Sequence, residues 1–395
     1  MKPYLLFTLS IFLFACKKDN KGNSAPQPLA YDSVFTFQQN AKTHRFSTII
    51  GNDRNVVMLV NEAKTLIPTL YKFSQAGALL WKKTIQIPDT AYYGIPKLYS
   101  VAETRHGSFL YCGTSYKKVP YNGSFVIGSD IALLKTNSNG DVLWLKSFGG
   151  DNDDYGTAVI KTKDGNYLLA CNSMSFSADY FNDIYLIKID ADGNVLWTKN
   201  YTAPEQQHIG DIIETSEGNF FLNITDNYGT GHANLMWMLI DKNGNEQWRK
   251  TAEMGTNAHA GGATQIANGD FVVSYGTTSL FVSRLDKSGN RLWTNNYTSA
   301  GNVVYLFGSS DMQVSSNNNI TLASNSQYTG TNNAVTFLLN IDGNGKEVFL
   351  KKLSIDNNSS PMNLLRADNG NNILTGNQTL DTTIANTFFI KINDY

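Results

Sequence analysis

One two-hairpin unit recurs seven times along this chain, and that recurrence constrains the fold more than any other feature. Its second half is an apolar run, a turn of Gly and Asn, and a second run carrying Trp or Phe. It appears as LYKFSQAGALLWKKTI from Leu70, DIALLKTNSNGDVLWLKSF from Asp130 and DIYLIKIDADGNVLWTKNY from Asp183. It returns as NLMWMLIDKNGNEQWRKTA from Asn234, SLFVSRLDKSGNRLWTNNY from Ser279 and AVTFLLNIDGNGKEVFLKKL from Ala334. Asn and Gly fit the turns because they tolerate the positive φ of a tight hairpin.

A first half precedes each of these, in GNDRNVVMLVN, ETRHGSFLYCG, TKDGNYLLACN, TSEGNFFLNIT, IANGDFVVSYG, SSNNNITLASN and ADNGNNILTGN. Its turn positions are Arg54, Gly107, Gly165, Gly218, Gly269, Asn318 and Gly370, spaced by 53, 58, 53, 51, 49 and 52 residues. Four strands, A to D, at a period near 50 predict an all-β chain, a seven-bladed β-propeller of four-stranded antiparallel blades. The seventh unit ends at NTFFIKINDY, which matches strand C only. YDSVFTFQQN, residues 31–40, is the available strand D, so the N-terminal strand is expected to complete the last blade and close the ring.

Composition agrees. Charged residues make up 16%, aromatics 12%, with 20 Tyr and 21 Phe, which suits short strands and polar turns rather than helices. A net charge of −1 offers no basic face for nucleic acid. Trp81, Trp144, Trp197, Trp248 and Trp293 fall at one strand-D position and read as packing between blades. Cys112 and Cys171 sit in apolar strands and read as buried free thiols, because a disulfide framework needs more cysteines at tighter spacing.

The chain starts MKPYLLFTLSIFLFACKKDN, with an apolar run at residues 4–15 too short to span a bilayer as a helix. Leu13-Phe14-Ala15-Cys16 resembles a bacterial lipoprotein signal, although Phe14 is bulky for its place. The resemblance implies a signal peptide over 1–15 and lipidation at Cys16; with few apolar residues and two Pro, the stretch 16–30 after the cut reads as lipidated Cys and flexible tether, and the repeats make 31–395 one propeller domain. The Lys/Asp run after Cys16 resembles surface-export signals of Bacteroidetes lipoproteins. The expected location is therefore the cell envelope, lipid-anchored to the outer membrane, facing the periplasm or the cell surface.

FGGDNDDYGTAVIKTKDGNYLLACN followed by DIYLIKIDADGNVLWTKNY resembles the repeats of secreted bacterial seven-bladed propellers. More distantly, D-x-x-G-N-x-L-W is similar to the blade motif of quinoprotein dehydrogenase-like propellers and of the assembly lipoprotein BamB. These resemblances imply the fold and leave the activity open, since propellers host many functions.

In such a blade the B–C and D–A loops share one face, and here they are long and varied. They display Tyr92, Tyr93, Tyr116, Tyr121, Tyr155, Tyr180, Phe181 and Tyr228, aromatics that suit sugar or peptide binding or merely cover blade edges. Ten residues before each A–B turn, strand A begins near the channel mouth, at His44, Lys97, Tyr155, His208, His259, Gly308 and Ser360. His232 falls in a loop on that face. These side chains read either as a ligand-binding mouth or as the polar lining of a wet channel. No acidic partner or fixed ligand spacing supports a metal there. The run Asp151, Asp153, Asp154 is dense enough for Ca²⁺ but lacks EF-hand spacing and reads as a solvated turn.

No phosphate loop, nucleophile elbow or zinc-finger spacing is present, and no cofactor is expected. The leading expectation is a non-catalytic binding or scaffold module for a glycan, peptide or envelope protein. The alternatives are a propeller lyase, hydrolase or quinoprotein-like enzyme with its site at the channel mouth, and an envelope assembly factor like BamB.

Overall fold

The computed structural model describes residues 31–39, 46–61, 67–87, 96–121, 124–177, 181–227, 233–254, 258–277, 279–297, 311–327, 334–353, 359–367, 370–379 and 385–392. Every regular element among them is a strand, and the strands form seven four-stranded antiparallel sheets. Six sheets take four consecutive strands each. Blade four, for example, comprises Gln207–Glu214, Phe220–Asp226, Asn234–Ile240 and Glu246–Ala252.

Blade seven takes Ser359–Arg366, Asn372–Thr379 and Ala385–Ile392 from the C-terminal end and Tyr31–Gln39 from the N-terminal end. Val34 pairs with Ile390 and Phe37 with Thr387. The N-terminal strand closes the ring, as the repeat pattern predicts.

Burial follows from the order of strands within a blade. The B and C strands have sheets on both faces, so Tyr167–Ser173 and Val56–Asn61 are buried throughout. The D strands lie outermost, and Leu80, Leu143, Leu196 and Leu292 stand exposed there. The A strands are half-buried and line the central channel, as in Gln207–Glu214. All seven A–B turn positions read from the sequence carry positive φ, including the non-glycines Arg54 at 68° and Asn318 at 63°. The C–D turns do the same at Gly77, Gly140, Gly193, Gly244, Gly289 and Gly345.

The tryptophans join blades as expected, and the glycine turns explain how. A Cβ on Gly193 would lie 2.6 Å from the Trp144 ring. Gly244 meets Trp197, Gly289 meets Trp248 and Gly345 meets Trp293 in the same way. These four indoles therefore lie on the bare C–D turn of the following blade, whereas at the first seam Gly140 meets Lys83 rather than Trp81.

Blade two departs from expectation. The stretch from Ser115 to Ser129 reads as a loop, yet Phe109–Tyr121 and Ser124–Thr136 are two continuous 13-residue strands paired through Tyr121 and Ser124. The β-formers Val119, Tyr121, Phe125, Val126 and Ile127 around Asn122–Gly123 outweigh the lysines and proline. Tyr116 and Tyr121 thus belong to a hairpin that rises beyond the blade, not to a loop.

Candidate functional site

The channel is organised by a belt of side chains seven residues before each A–B turn: Ser47, Ser100, Ala158, Asp211, Gly262, Asp311 and Asn363. In blades two, three, four and seven the ladder register shifts just before this position, between Leu98 and Ser100, Gly156 and Ala158, Ile209 and Asp211, and Pro361 and Asn363. Such a bulge inserts one unpaired residue and re-aims the next side chain.

Each polar member reaches the backbone of the following blade. Val101 N donates to Ser47 Oγ at 3.4 Å, Val159 N to Ser100 Oγ at 3.0 Å, Ala263 N to Asp211 Oδ2 at 2.8 Å and Thr48 N to Asn363 Oδ1 at 3.0 Å. Asp311 accepts from Leu364 N and from Asn363 Nδ2, the latter at 3.3 Å. Ala158 and Gly262 carry no side-chain acceptor, and Ile212 N turns to Asp211 Oδ1 at 2.8 Å.

Two members of this belt are carboxyls. They line a cavity of about 450 Å³ in the channel, together with Lys163, Glu214, Gln265 and Gln313. Glu214 and Gln265 lie toward the A–B turns, so this cavity extends to the end of the channel opposite the loop face. Each carboxyl keeps partial contact with the channel while protein surrounds it. Burial pushes Asp211 up to about 8, with the Asp311 charge adding to the rise against hydrogen bonds from Ala263 and Ile212. Burial also raises Asp311, to about 6, against hydrogen bonds from Asn363 and Leu364. Both carboxyls are thus held above the usual carboxylate range, and they titrate as a pair.

The opposite mouth holds the residues singled out in the sequence. Lys97 begins its A strand, and its Nζ lies 5.8 Å from the centre of the Tyr116 ring. A hydrogen bond with Tyr116 raises the Lys97 ammonium. Tyr155 is half-buried on the next inner strand, and burial pushes its phenol up, helped by the Asp153 charge. His208 pairs with Thr225, whose Oγ1 accepts from Ala260 N at 2.8 Å, directly beside His259. The two histidines thus stand at the starts of adjacent inner strands, and Thr225, the ladder partner of His208, holds the residue after His259. Burial lowers His259, disfavouring its charged imidazolium.

The acidic run is spent on structure. Asp154 is fully buried and accepts from Ser175 Oγ at 2.6 Å, Gly150 N at 2.9 Å and Ser173 Oγ. Asp153 Oδ1 accepts from Ser129 N at 2.7 Å, while Asp151 is exposed. Lys117 ties the hairpin base to this loop through Asp130 at 2.5 Å and the Gly150 carbonyl. Among the described residues no group of three or more His, Cys, Asp or Glu could hold a metal ion. Phe181 is half-buried, and Phe176, not anticipated, packs against Tyr185 with the rings tilted and their centres 4.6 Å apart. Cys16, His44, His232, Tyr92, Tyr93, Tyr180 and Tyr228 lie outside the described residues, and for Tyr121 only the backbone is described.

No family model matches the chain, and no curated protein matches it. Solved structures do. A polysaccharide lyase, an ulvan lyase, is 11% identical with a TM-score of 0.57 over 91% of this chain and 95% of that one. YCF48 bound to a D1 peptide is 12% identical with a TM-score of 0.53 over 93% and 97%. A protein of unknown function from Dyadobacter fermentans is 12% identical with a TM-score of 0.51 over 93% and 100%. At such identities the likeness is one of fold.

Proposed function

We propose that this chain is a lipid-anchored envelope propeller that binds a glycan, peptide or partner protein on its B–C/D–A face, with residues 1–15 as its signal and Cys16 as its anchor. One observation carries the reading: Lys97 with Tyr116, Tyr155, His208 and His259 stand at the starts of neighbouring inner strands, beside the hairpin braced by Lys117 and Asp130. A cation, phenols and imidazoles offer hydrogen bonds and stacking, which suits a polar, weakly charged ligand. A rigid scaffold holding variable loops is the usual arrangement for recognition.

The test is a titration of residues 24–395 with glycans, cell-wall fragments and peptides, against the His208→Ala/His259→Ala double variant. Binding that is lost in the variant supports the reading. Equal binding by both moves the site away from the mouth, and no binding to any small ligand favours a membrane-protein partner of the kind BamB engages.

A second reading rests on a separate observation. Asp211 and Asp311 line one cavity with both carboxyls raised by burial, and a pair of carboxyls in one cavity is what general acid–base chemistry uses. A lyase or hydrolase acting on a bound glycan would use them, and would lose turnover but not binding in Asp211→Asn.

A further inference from the structure

The spacing of Cys112 and Cys171 in the sequence does not pair them, but the blade geometry does. Cys112 lies five residues after its A–B turn glycine, and Cys171 lies six after its own. Side chains at the first offset reach forward into the following blade. Asn223 Nδ2 donates to Gly261 O at 3.0 Å, and Thr375 Oγ1 meets Thr48 Oγ1 at 3.0 Å. Successive strand residues point to opposite faces, so the second offset looks back at the preceding blade. Cys112 of blade two and Cys171 of blade three therefore face each other across one interface.

The space between them is made by a missing side chain. Gly156 is the cross-strand partner of Cys171, and a Cβ on it would lie 2.7 Å from Cys112 Sγ. The corresponding residues of blades two and four, Leu98 and Ile209, are buried and apolar. Both cysteines are wholly buried in one hydrophobic cluster, and both are free thiols in this structure, as the sequence reading expects.

We propose that Cys112 and Cys171 form a disulfide that staples blade two to blade three when the chain folds in an oxidising compartment. The envelope location proposed above supplies only that compartment. The oxidant is an external disulfide, of a small thiol or of a dithiol oxidoreductase. One cysteine loses its proton and attacks a sulfur of that disulfide, releasing the first thiolate and leaving a mixed disulfide. The other cysteine, deprotonated in turn, attacks its partner's sulfur and releases the second thiolate. The protein S–S bond forms as the oxidant's breaks, and two electrons pass to the oxidant. Burial pushes the Cys171 thiol up, so the exchange belongs to the folding chain before the two blades close.

Residues 24–395 contain all seven blades and no other cysteine. This protein is refolded in a glutathione–glutathione disulfide buffer and, in parallel, in dithiothreitol. The oxidised sample should show no free thiol after denaturation, a mass lower by about 2 Da and a linked 112–171 peptide. Its Tm should exceed that of the reduced sample by several degrees, roughly 3–8 °C. That difference should vanish in Cys171→Ala and in Cys112→Ala, either of which suffices if the other fails to fold. Two titratable thiols in a folded, oxidised sample would overturn the proposal, as would cross-linking only between chains. Fatty-acid labelling of Cys16 in cells reads export and anchoring separately, and its failure leaves the refolding result unchanged.

Discussion

Trp144 and Gly193 define the seam between blades two and three: the indole occupies the place where a side chain on the turn would stand. The turn holds φ at 73°, so glycine is required there twice, by its backbone and by its neighbour.

That double requirement can be separated by measurement. Gly218 has φ 82° but open space, the nearest atom to an added Cβ being Glu214 Oε1 at 3.9 Å. Gly218→Ala should cost about 1 kcal/mol from the backbone alone. Gly193→Ala adds the collision with Trp144 and should cost about 2–3 kcal/mol. Urea unfolding of both variants checks the difference. Equal midpoints would mean the indole yields without cost.

Closure of the ring can be tested by truncation. Removing Val34 to Phe37 deletes four residues from the centre of the strand paired with Ala385–Ile392 and exposes a long edge. Trimming Lys17 to Ala30 touches no described strand. The first truncation should lower Tm by 10 °C or more, on the order of several kcal/mol, and the second by almost nothing.

The channel carboxyls give the protein an unusual pH response. A carboxyl raised in the folded state binds its proton more tightly there than in the unfolded chain. Its stabilising contribution is complete below the unfolded value near 4 and is lost as pH rises toward about 8. Turn carboxylates such as Asp190 and Asp241 act in the opposite sense. Slight burial pushes them up, but hydrogen bonds from Asn194 and Asn245 hold them below the usual range. The informative quantity is thus the difference between wild type and Asp211→Asn. From pH 5 to pH 9 the Tm of wild type should fall relative to that of the variant. Parallel curves would show that Asp211 ionises as freely in the fold as outside it.

Asp154 supports the loop between blades two and three from a fully buried position. Asp154→Ala strands Ser173, Ser175 and the Gly150 amide without their acceptor and should cost about 3 kcal/mol or more. Both carboxylate oxygens are engaged within the protein, so Ca²⁺ or a chelator should leave wild-type Tm unchanged. A Tm that rises with Ca²⁺ would show that the loop rearranges to bind the ion.

Much of the architecture was legible because turns leave strong marks. Arg54 and Asn318 could be placed at A–B turns by alignment with five glycines, and both adopt the same left-handed backbone. The belt was harder to see although its column stands in the same alignment. The bulge before Asp211 breaks the two-residue period that tells which face a side chain takes. Asp311 adds a second obstacle, since its partnership with Asp211 spans blades four and six and has no local signature. The blade-two hairpin was hidden by Lys117, Lys118 and Pro120, which are also what an exposed edge tolerates. Cys112 and Cys171 lack a spacing signal because their meeting depends on the handedness with which one blade follows another.

The belt has a direction: Ser47, Ser100, Asp211, Asp311 and Asn363 each hold the blade ahead, and Asn363 returns to Thr48 at the beginning. A linear array of repeats frays from its two outermost units, where a unit has one neighbour instead of two. Here the Tyr31–Gln39 strand removes those outermost units by making blade seven from both extremities of the chain. The molecule therefore has nowhere to begin peeling, and its blades should be lost together or not at all.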